Sequence, residues 1–497
     1  MATRTQSTPQ NSLQPAAGVN RRAFLSGSAQ IMGALGLAGV MQLMVTKAAR
    51  AGGPIVDYGP LAPVADDATG LPLLKLPQDF RYTSFSWRRD VMADGNVVPT
   101  AHDGMAVVDL IDGNGRGELI LVRNHEQRPF RSGNVANPGV DPALVYNPHP
   151  DAVGSTSTLR FNSKNGRWID DRLSIAGTIT NCAGGVTPWG SWITCEEQVA
   201  DIGGLPHGYA FEVPGLLPVH PVPLTDMGRF AHEALAVDAR TSVVYLTEDF
   251  RYASGFYRFT PNVPFEPYGF EAGGKLEMLA VQGVPNADLQ MAQMGQSFAV
   301  EWVEIEFPDT PLQLGVGPFG SFDGSRTNAS GPFVQGFLKG GAQFRRLEGC
   351  WYDGGSYIYF ADTEGGRPGF DTGEPEGVIW CYDIDNERLT VIYESPAEVL
   401  LDNPDNITVS PSGNLLLCED GDLAGQRLAG LTLSGEIFPF AVNNVVLSGE
   451  RNGLSGDFRG AEWAGATFDP TGKWLFVNNF TPGITFAITG PWAKGSL

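Results

Sequence analysis

The residues with most chemistry to offer are Cys182 and a set of acids that open or end short apolar runs. In Asn181-Cys182-Ala183-Gly184-Gly185 a thiol lies between an amide and two glycines. The strand-like Trp192-Ile193-Thr194-Cys195 that follows ends in Glu196 and Glu197. The pairing recurs along the chain. Runs open at His102, Cys182, Glu233, Glu348, Asp405 or Asn406, and Glu462. The runs after them end at Glu126, Glu196-Glu197, Glu248-Asp249, Glu364, Glu419-Asp420 and Asn478. Gathered at one place, so many like charges could not all stay ionised without cations among them. Oxygen-rich sets suit calcium, and a thiolate suits a transition metal. The expected metal set is therefore Cys182, Glu196, Glu197, Glu233, Glu348, Asp405, Asn406, Glu419 and Glu462. Arg346 precedes Glu348 by two residues, on the same side of a strand. Its guanidinium suits a phosphate oxygen; the competing reading is a salt bridge to Glu348.

What would gather these residues is a repeat. From about residue 100 a polar or acidic residue opens a short strand, a turn of Asp, Asn, Pro or Gly follows, and an aromatic-rich strand ends in an acid or amide. A third strand such as Gly255-Phe256-Tyr257-Arg258-Phe259 often comes next. Strand units without helical periodicity between them predict an all-β fold, a six-bladed β-propeller, in preference to a sandwich or paired barrels. In a propeller, equivalent positions of the innermost strands converge on one axis. Residues 52–98 read as an N-terminal arm that closes or caps the ring, 99–497 as the propeller, and 262–345 as a long inter-blade insertion.

Composition sets the context. Acids outnumber bases 55 to 33, giving a net charge of -22, and no basic stripe offers itself to nucleic acid. Asn20-Arg21-Arg22-Ala23-Phe24-Leu25, the apolar run Ile31 to Val45 and Ala49-Arg50-Ala51 read as a twin-arginine (Tat) signal peptide over 1–51. That predicts export of an already folded protein to the periplasm or beyond. The run is shorter than the usual membrane span of about 20 residues. The cysteines are odd in number, without Cys-x-x-Cys spacing, so a dense disulfide framework is excluded. Cys195, Cys350, Cys381 and Cys418 read as buried small hydrophobes. His125, His207 and His220 lack ligand spacing and read as structural or exposed. A closed propeller leaves few free edges, so a monomer is expected.

At these residues the sequence resembles the PhoX family of secreted bacterial alkaline phosphatases. The matching pieces are the twin-arginine signal, Asn181 to Gly185, Trp192 to Glu197, Phe344 to Gly349, Pro404 to Asp420 and Arg459 to Trp463. The resemblance implies a six-bladed propeller with iron (Fe3+) and calcium (Ca2+) in its channel, hydrolysing small phosphomonoesters at alkaline pH outside the cytoplasm. It implies Cys182 as an iron ligand, carboxylate ligands among Glu196, Glu197, Glu233, Glu348 and Glu462, and Arg346 on phosphate. Arg346 and Glu348 are the expected catalytic residues. Two other readings stand beside it: a calcium-only propeller hydrolase of lactonase or phytase type, and a calcium-stabilised, non-catalytic binding propeller.

Overall fold

Runs such as Leu119-Ile120-Leu121-Val122 and Leu415-Leu416-Leu417-Cys418 are too short for buried helices and are bounded by Asp, Asn and Gly, so they fold as strands. The computed structural model describes residues 57–111, 117–137, 139–316 and 327–497, and their regular secondary structure is overwhelmingly strand. The signal-peptide segment, and positions 317–326 of the expected insertion, lie outside the described residues.

The architecture is all-β and propeller-like. The strands His102–Ile111, Asn181–Val186, His232–Val237, Leu347–Tyr352, Pro404–Val409 and Trp463–Phe468 neighbour one another in cyclic order, the last against the first. Each pairs antiparallel with the strand that follows it: Glu118–His125, Ser191–Glu196, Val244–Glu248, Tyr357–Asp362, Leu415–Glu419 and Leu475–Asn479 respectively. Further strands extend each sheet outwards, and sheet faces bury Trp87, Trp192, Trp380, Trp463 and Trp474 completely. Each large apolar side chain buried in this way stabilises the fold by about 1.5–3 kcal/mol.

The sheets do not divide into six separate blades as expected. One has nine strands. It arises inside the stretch read as an insertion. Gly274–Val281 pairs with Phe256–Pro261, and Ser297–Glu304 pairs with Gly274–Val281 on one edge and with Arg388–Glu394 on the other. Two four-stranded units are thereby stitched into one sheet. The remainder of the stretch includes the helix Gly331–Leu338, whose N-terminal turn is capped by Ser330 Oγ accepting from Phe333 N. The N-terminal arm supplies strands as well. Arg81–Phe85 pairs with Ile484–Thr489, so a strand of the arm completes the last sheet, and Leu74–Leu76 extends the sheet at Ile437–Asn443.

Candidate metal centre and its rim

The six inner pairs share one irregularity, and it builds the site. In each, the register slips just after the pairing of one inner-strand residue with a residue at the end of its partner. The pairs are His102 with His125, Asn181 with Glu196, His232 with Glu248, Leu347 with Asp362, Pro404 with Glu419 and Ala464 with Asn478. A bulge re-aims the side chain that falls in it. The next residues on the inner strands are Asp103, Cys182, Glu233, Glu348, Asp405 and Gly465. Groups of these converge. Ligand atoms of Asp103, Glu126 and Cys182 lie within 4.8 Å of one another, as do those of Cys182, Glu197 and Glu233, and those of Glu233, Glu348 and Asp405. In the sixth pair the position is Gly465. A Cβ there would come within 2.5 Å of Asp103 O, so no side chain fits, and Glu462 enters from the preceding turn instead.

A second set comes from the residues just past the partner strands. The backbone N–H of Glu126 donates to Ala101 O, that of Glu197 to Thr180 O, that of Asp249 to Ala231 O and that of Asp420 to Asn403 O. These bonds fix the residues one step beyond the ladder, where the chain turns out of the sheet. Asp420 and Asp405 act on Glu462, as do Asp103 and Glu126, which places Glu462 in the same charged group.

This register corrects the sequence reading at three positions. Glu196 does not face the channel. Its carboxylate accepts from His207 Nδ1 at 2.7 Å and from the backbone N–H groups of Ile179, Gly208 and Tyr209. Glu419 is likewise turned outwards, held by the Arg427 guanidinium and by the N–H groups of Asp402 and Arg427. Both pair across the ladder, where alternation points them between sheets. Asn406 lies one residue too far along its strand, and its Oδ1 accepts from Gly465 N at 2.6 Å. Cys182, Glu197, Glu233, Glu348 and Asp405 lie in these groups, with Glu462 beside them. The sequence reading opens this run at His102, whereas the structure brings its neighbour Asp103 to the centre. Its signal was the alignment of His102-Asp103 with Asn181-Cys182 and His232-Glu233.

Glu196 therefore gives a stability prediction. Replacing it with alanine leaves His207 Nδ1 and three buried backbone N–H groups without their acceptor. A loss of about 3–5 kcal/mol, the usual cost of breaking a buried pair, is expected in urea unfolding, with metal content per folded molecule unchanged.

The electrostatics point to cations. Burial, reinforced by neighbouring acids, pushes the carboxyls of Asp103, Glu197, Glu233 and Glu348 well above their ordinary range. Asp405 is pushed up to about 7 and Asp420 to about 6, for the same reasons. Burial, then Asp103 and Glu233, pushes the Cys182 thiol well above its usual range. Neither oxygen of Asp103 or of Glu233 has a hydrogen-bond partner, although all four atoms are buried. Leaving such atoms unpaired costs several kcal/mol in aggregate, which bound cations would offset. The donor set, a thiol among carboxylate oxygens, fits a transition metal beside hard cations.

Supporting residues hold the donors in place. Asn124 Nδ2 donates to Cys182 O at 2.9 Å and to Ala183 O at 2.7 Å, while its Oδ1 accepts from Trp192 Nε1 and Thr194 Oγ1. Asn478 Nδ2 donates to Asp103 O at 2.6 Å. Beneath the donors the inner strands carry small residues, Gly104, Ala183, Ala234 and Gly349, and leave only ≈ 20 Å³ of space. The ring is therefore nearly filled on that side, and the acids lie towards its other face.

Arg346 stands at that face. It donates through Nε and Nη2 to Asp249, at 3.0 and 2.8 Å, and through Nη2 to Glu348 at 2.9 Å. Its φ of 58° is a left-handed conformation that costs a residue with a side chain of order 1 kcal/mol or more, and such strain gathers at functional sites. Glu348 and Asp249 raise its already high pKa despite the opposing effect of burial, so it is always charged. The other cysteines pack among apolar side chains, and His125 and His207 are buried and hydrogen-bonded. His220 instead pairs with Glu271 near the surface. Among the described residues no helix is long and apolar enough to cross a membrane.

Fold and site together define a propeller-like protein with a buried acidic, thiol-containing centre beneath a rim arginine. The family model described as alkaline phosphatase PhoX matches residues 56–172 and 156–483. The chain belongs to this family of alkaline phosphatases, which are phosphoric monoester hydrolases. No curated protein matches it. Among solved structures it is similar to a gluconolactonase from Xanthomonas campestris, at 12% identity and a TM-score of 0.39, with 88% of this chain and 98% of that one covered. It is also similar to the PQQ domain of pyranose dehydrogenase from Coprinopsis cinerea, at 11% identity and a TM-score of 0.36, covering 84% and 97%. Likeness at this level carries no functional argument.

Proposed function

We propose that the protein is a secreted, metal-dependent alkaline phosphatase that hydrolyses small phosphomonoesters at an iron–calcium centre in the channel of a six-bladed propeller. The single observation that carries this reading is the convergence of Cys182 with buried, unpartnered carboxylates under Arg346. Family membership supplies the reaction. The six-bladed reading rests on the cyclic order of the inner strands and on the bulge repeated in each pair. Export rests on the twin-arginine segment.

Cys182 with Asp103, Glu126, Glu197 and Glu233 would hold the thiolate-bound metal, and Glu233, Glu348 and Asp405 a neighbouring cation. Cations bound there would screen phosphate charge and lower the pKa of an attacking oxygen. The chain's own contribution is positioning. Arg346 reaches the rim with its side chain 32% exposed, while its partners Asp249 and Glu348 are only 6% exposed. It can turn guanidinium donors to the equatorial oxygens of an incoming phosphate, where charge builds in the transition state. Glu348 and Asp249 fix its plane. The small-residue floor keeps the ester at the rim, so its alcohol leaves towards solvent.

Chelator-sensitive hydrolysis of p-nitrophenyl phosphate by the exported protein tests the reading. Arg346→Ala is expected to lower kcat/KM by about 100- to 1000-fold, the usual cost of losing one oriented donor. A variant within a few-fold of wild type would reduce Arg346 to a salt-bridge partner. Calcium without iron in an active protein would favour the calcium-only hydrolase.

A further inference from the structure

Among the described residues, Arg128 is the other arginine whose guanidinium donates to carboxylates of the metal-binding groups. Its Nε donates to Glu126, and its Nη2 reaches Glu197 Oε2 at 3.3 Å. Glu126 belongs to the group with Asp103 and Cys182, and Glu197 to the group with Cys182 and Glu233. Arg346 serves Glu348, in the group with Glu233 and Asp405. The two arginines thus flank the centre from different sheets.

Three observations argue against a purely neutralising role for Arg128. Its side chain is 42% exposed, against 5% for Glu126 and 15% for Glu197, so it stands above the acids it serves. Its Nε and Nη2 are engaged while, among the described residues, Nη1 meets no acceptor, so one donor of a half-exposed guanidinium is left uncommitted beside the acids. Its loop is rigidly built. Gln127, buried beside it, accepts from Val135 N at 2.6 Å and donates to Val153 O at 2.7 Å, and Asn134 Nδ2 donates to Arg128 O at 2.8 Å. The anchored backbone fixes where the guanidinium stands relative to Glu126 and Glu197. A fork held by two carboxylates, with one charged donor left over beside a cation site, is suited to a phosphoryl oxygen.

We infer that Arg128 is a second phosphate-binding arginine, turning Nη1 to a phosphoryl oxygen on the side of the centre opposite Arg346. The inference rests on the phosphatase reading above and assigns part of its substrate specificity: recognition of a terminal phosphate with two unesterified oxygens available to two separate guanidinium groups.

The test compares metal-loaded wild type with Arg128→Gln and Arg128→Lys, measuring metal content, calorimetric binding of inorganic phosphate and its inhibition of p-nitrophenyl phosphate hydrolysis. In Arg128→Gln the phosphate Kd and Ki are expected to rise together by roughly ten- to a hundredfold, the scale of one charge-assisted hydrogen bond, with metal content unchanged. Lysine restores charge but not the fork and is expected to recover only part of the loss. An unchanged phosphate Kd in Arg128→Gln overturns the inference. So does a fall in metal content with unaltered phosphate affinity in the loaded fraction, because Arg128 would then act on Glu126 and Glu197 alone. If wild type itself neither binds phosphate nor turns over the ester, the phosphatase reading fails and this inference falls with it.

Discussion

Replacing Cys182 with serine is expected to abolish phosphatase activity while leaving the fold in place. Among the described residues the thiol is the one sulfur donor at the centre, shared between the group with Asp103 and Glu126 and the group with Glu197 and Glu233. Its backbone is held independently, since Asn124 bonds to Cys182 O and Ala183 O. Serine keeps the volume nearly unchanged, so the strand Asn181–Val186 should stay in register. What goes is a soft donor that only a metal can hold as thiolate here, because burial and the surrounding acids keep the metal-free thiol protonated. The expected loss in kcat/KM exceeds about 100-fold, the upper end of what removing an outer partner of a metal ligand costs. Iron should disappear from the purified variant, with circular dichroism and the metal-free melting temperature near wild type. Full activity with iron retained would exclude Cys182 as a ligand.

Metal removal should expose an unusual dependence of stability on pH. In the metal-free protein the buried carboxyls bind protons more tightly when folded than when unfolded. Their contribution to stability is fully present below the unfolded pKa values near 4, and it is lost as pH rises through the folded values. Those lie at about 6 for Asp420 and about 7 for Asp405, and well above the ordinary range for Asp103, Glu197, Glu233 and Glu348. The melting temperature of chelator-stripped protein should therefore fall steadily between pH 5 and pH 9. Calcium should restore more stability at pH 9 than at pH 5, because only ionised carboxylates bind it. A metal-free melting temperature that is flat or rises over this range would mean that the acids do not face one another as described.

Much of this was legible in the sequence because the repeat is chemical as well as geometric. Asn181-Cys182, His232-Glu233 and Leu347-Glu348 each place a donor just after the residue that pairs across the ladder, and the gathering of Cys182, Glu233, Glu348 and Asp405 could be read from that recurrence. The choice within doublets could not. In Glu196-Glu197 and Glu419-Asp420 both residues are acidic, and only the register tells which one pairs across the sheet and which lies beyond it. The paired member is consumed by a structural partner far from it in pattern, His207 for Glu196 and Arg427 for Glu419. Ser297–Glu304 was hidden for another reason. It alternates as a strand should, but its partner Arg388–Glu394 is remote in the chain, so a stretch that joins two units read as an insertion between them. Arg128 carried no motif at all, and its place became visible only once Glu126 and Glu197 stood side by side.

The measurement that bears most directly on the central claim is elemental analysis of the protein exported in its native form, before any metal is added. Iron together with calcium, in amounts that fall when Cys182 or Glu233 is replaced, is the predicted result. Protein that carries neither metal, yet hydrolyses phosphomonoesters at full rate in the presence of a chelator, would contradict it.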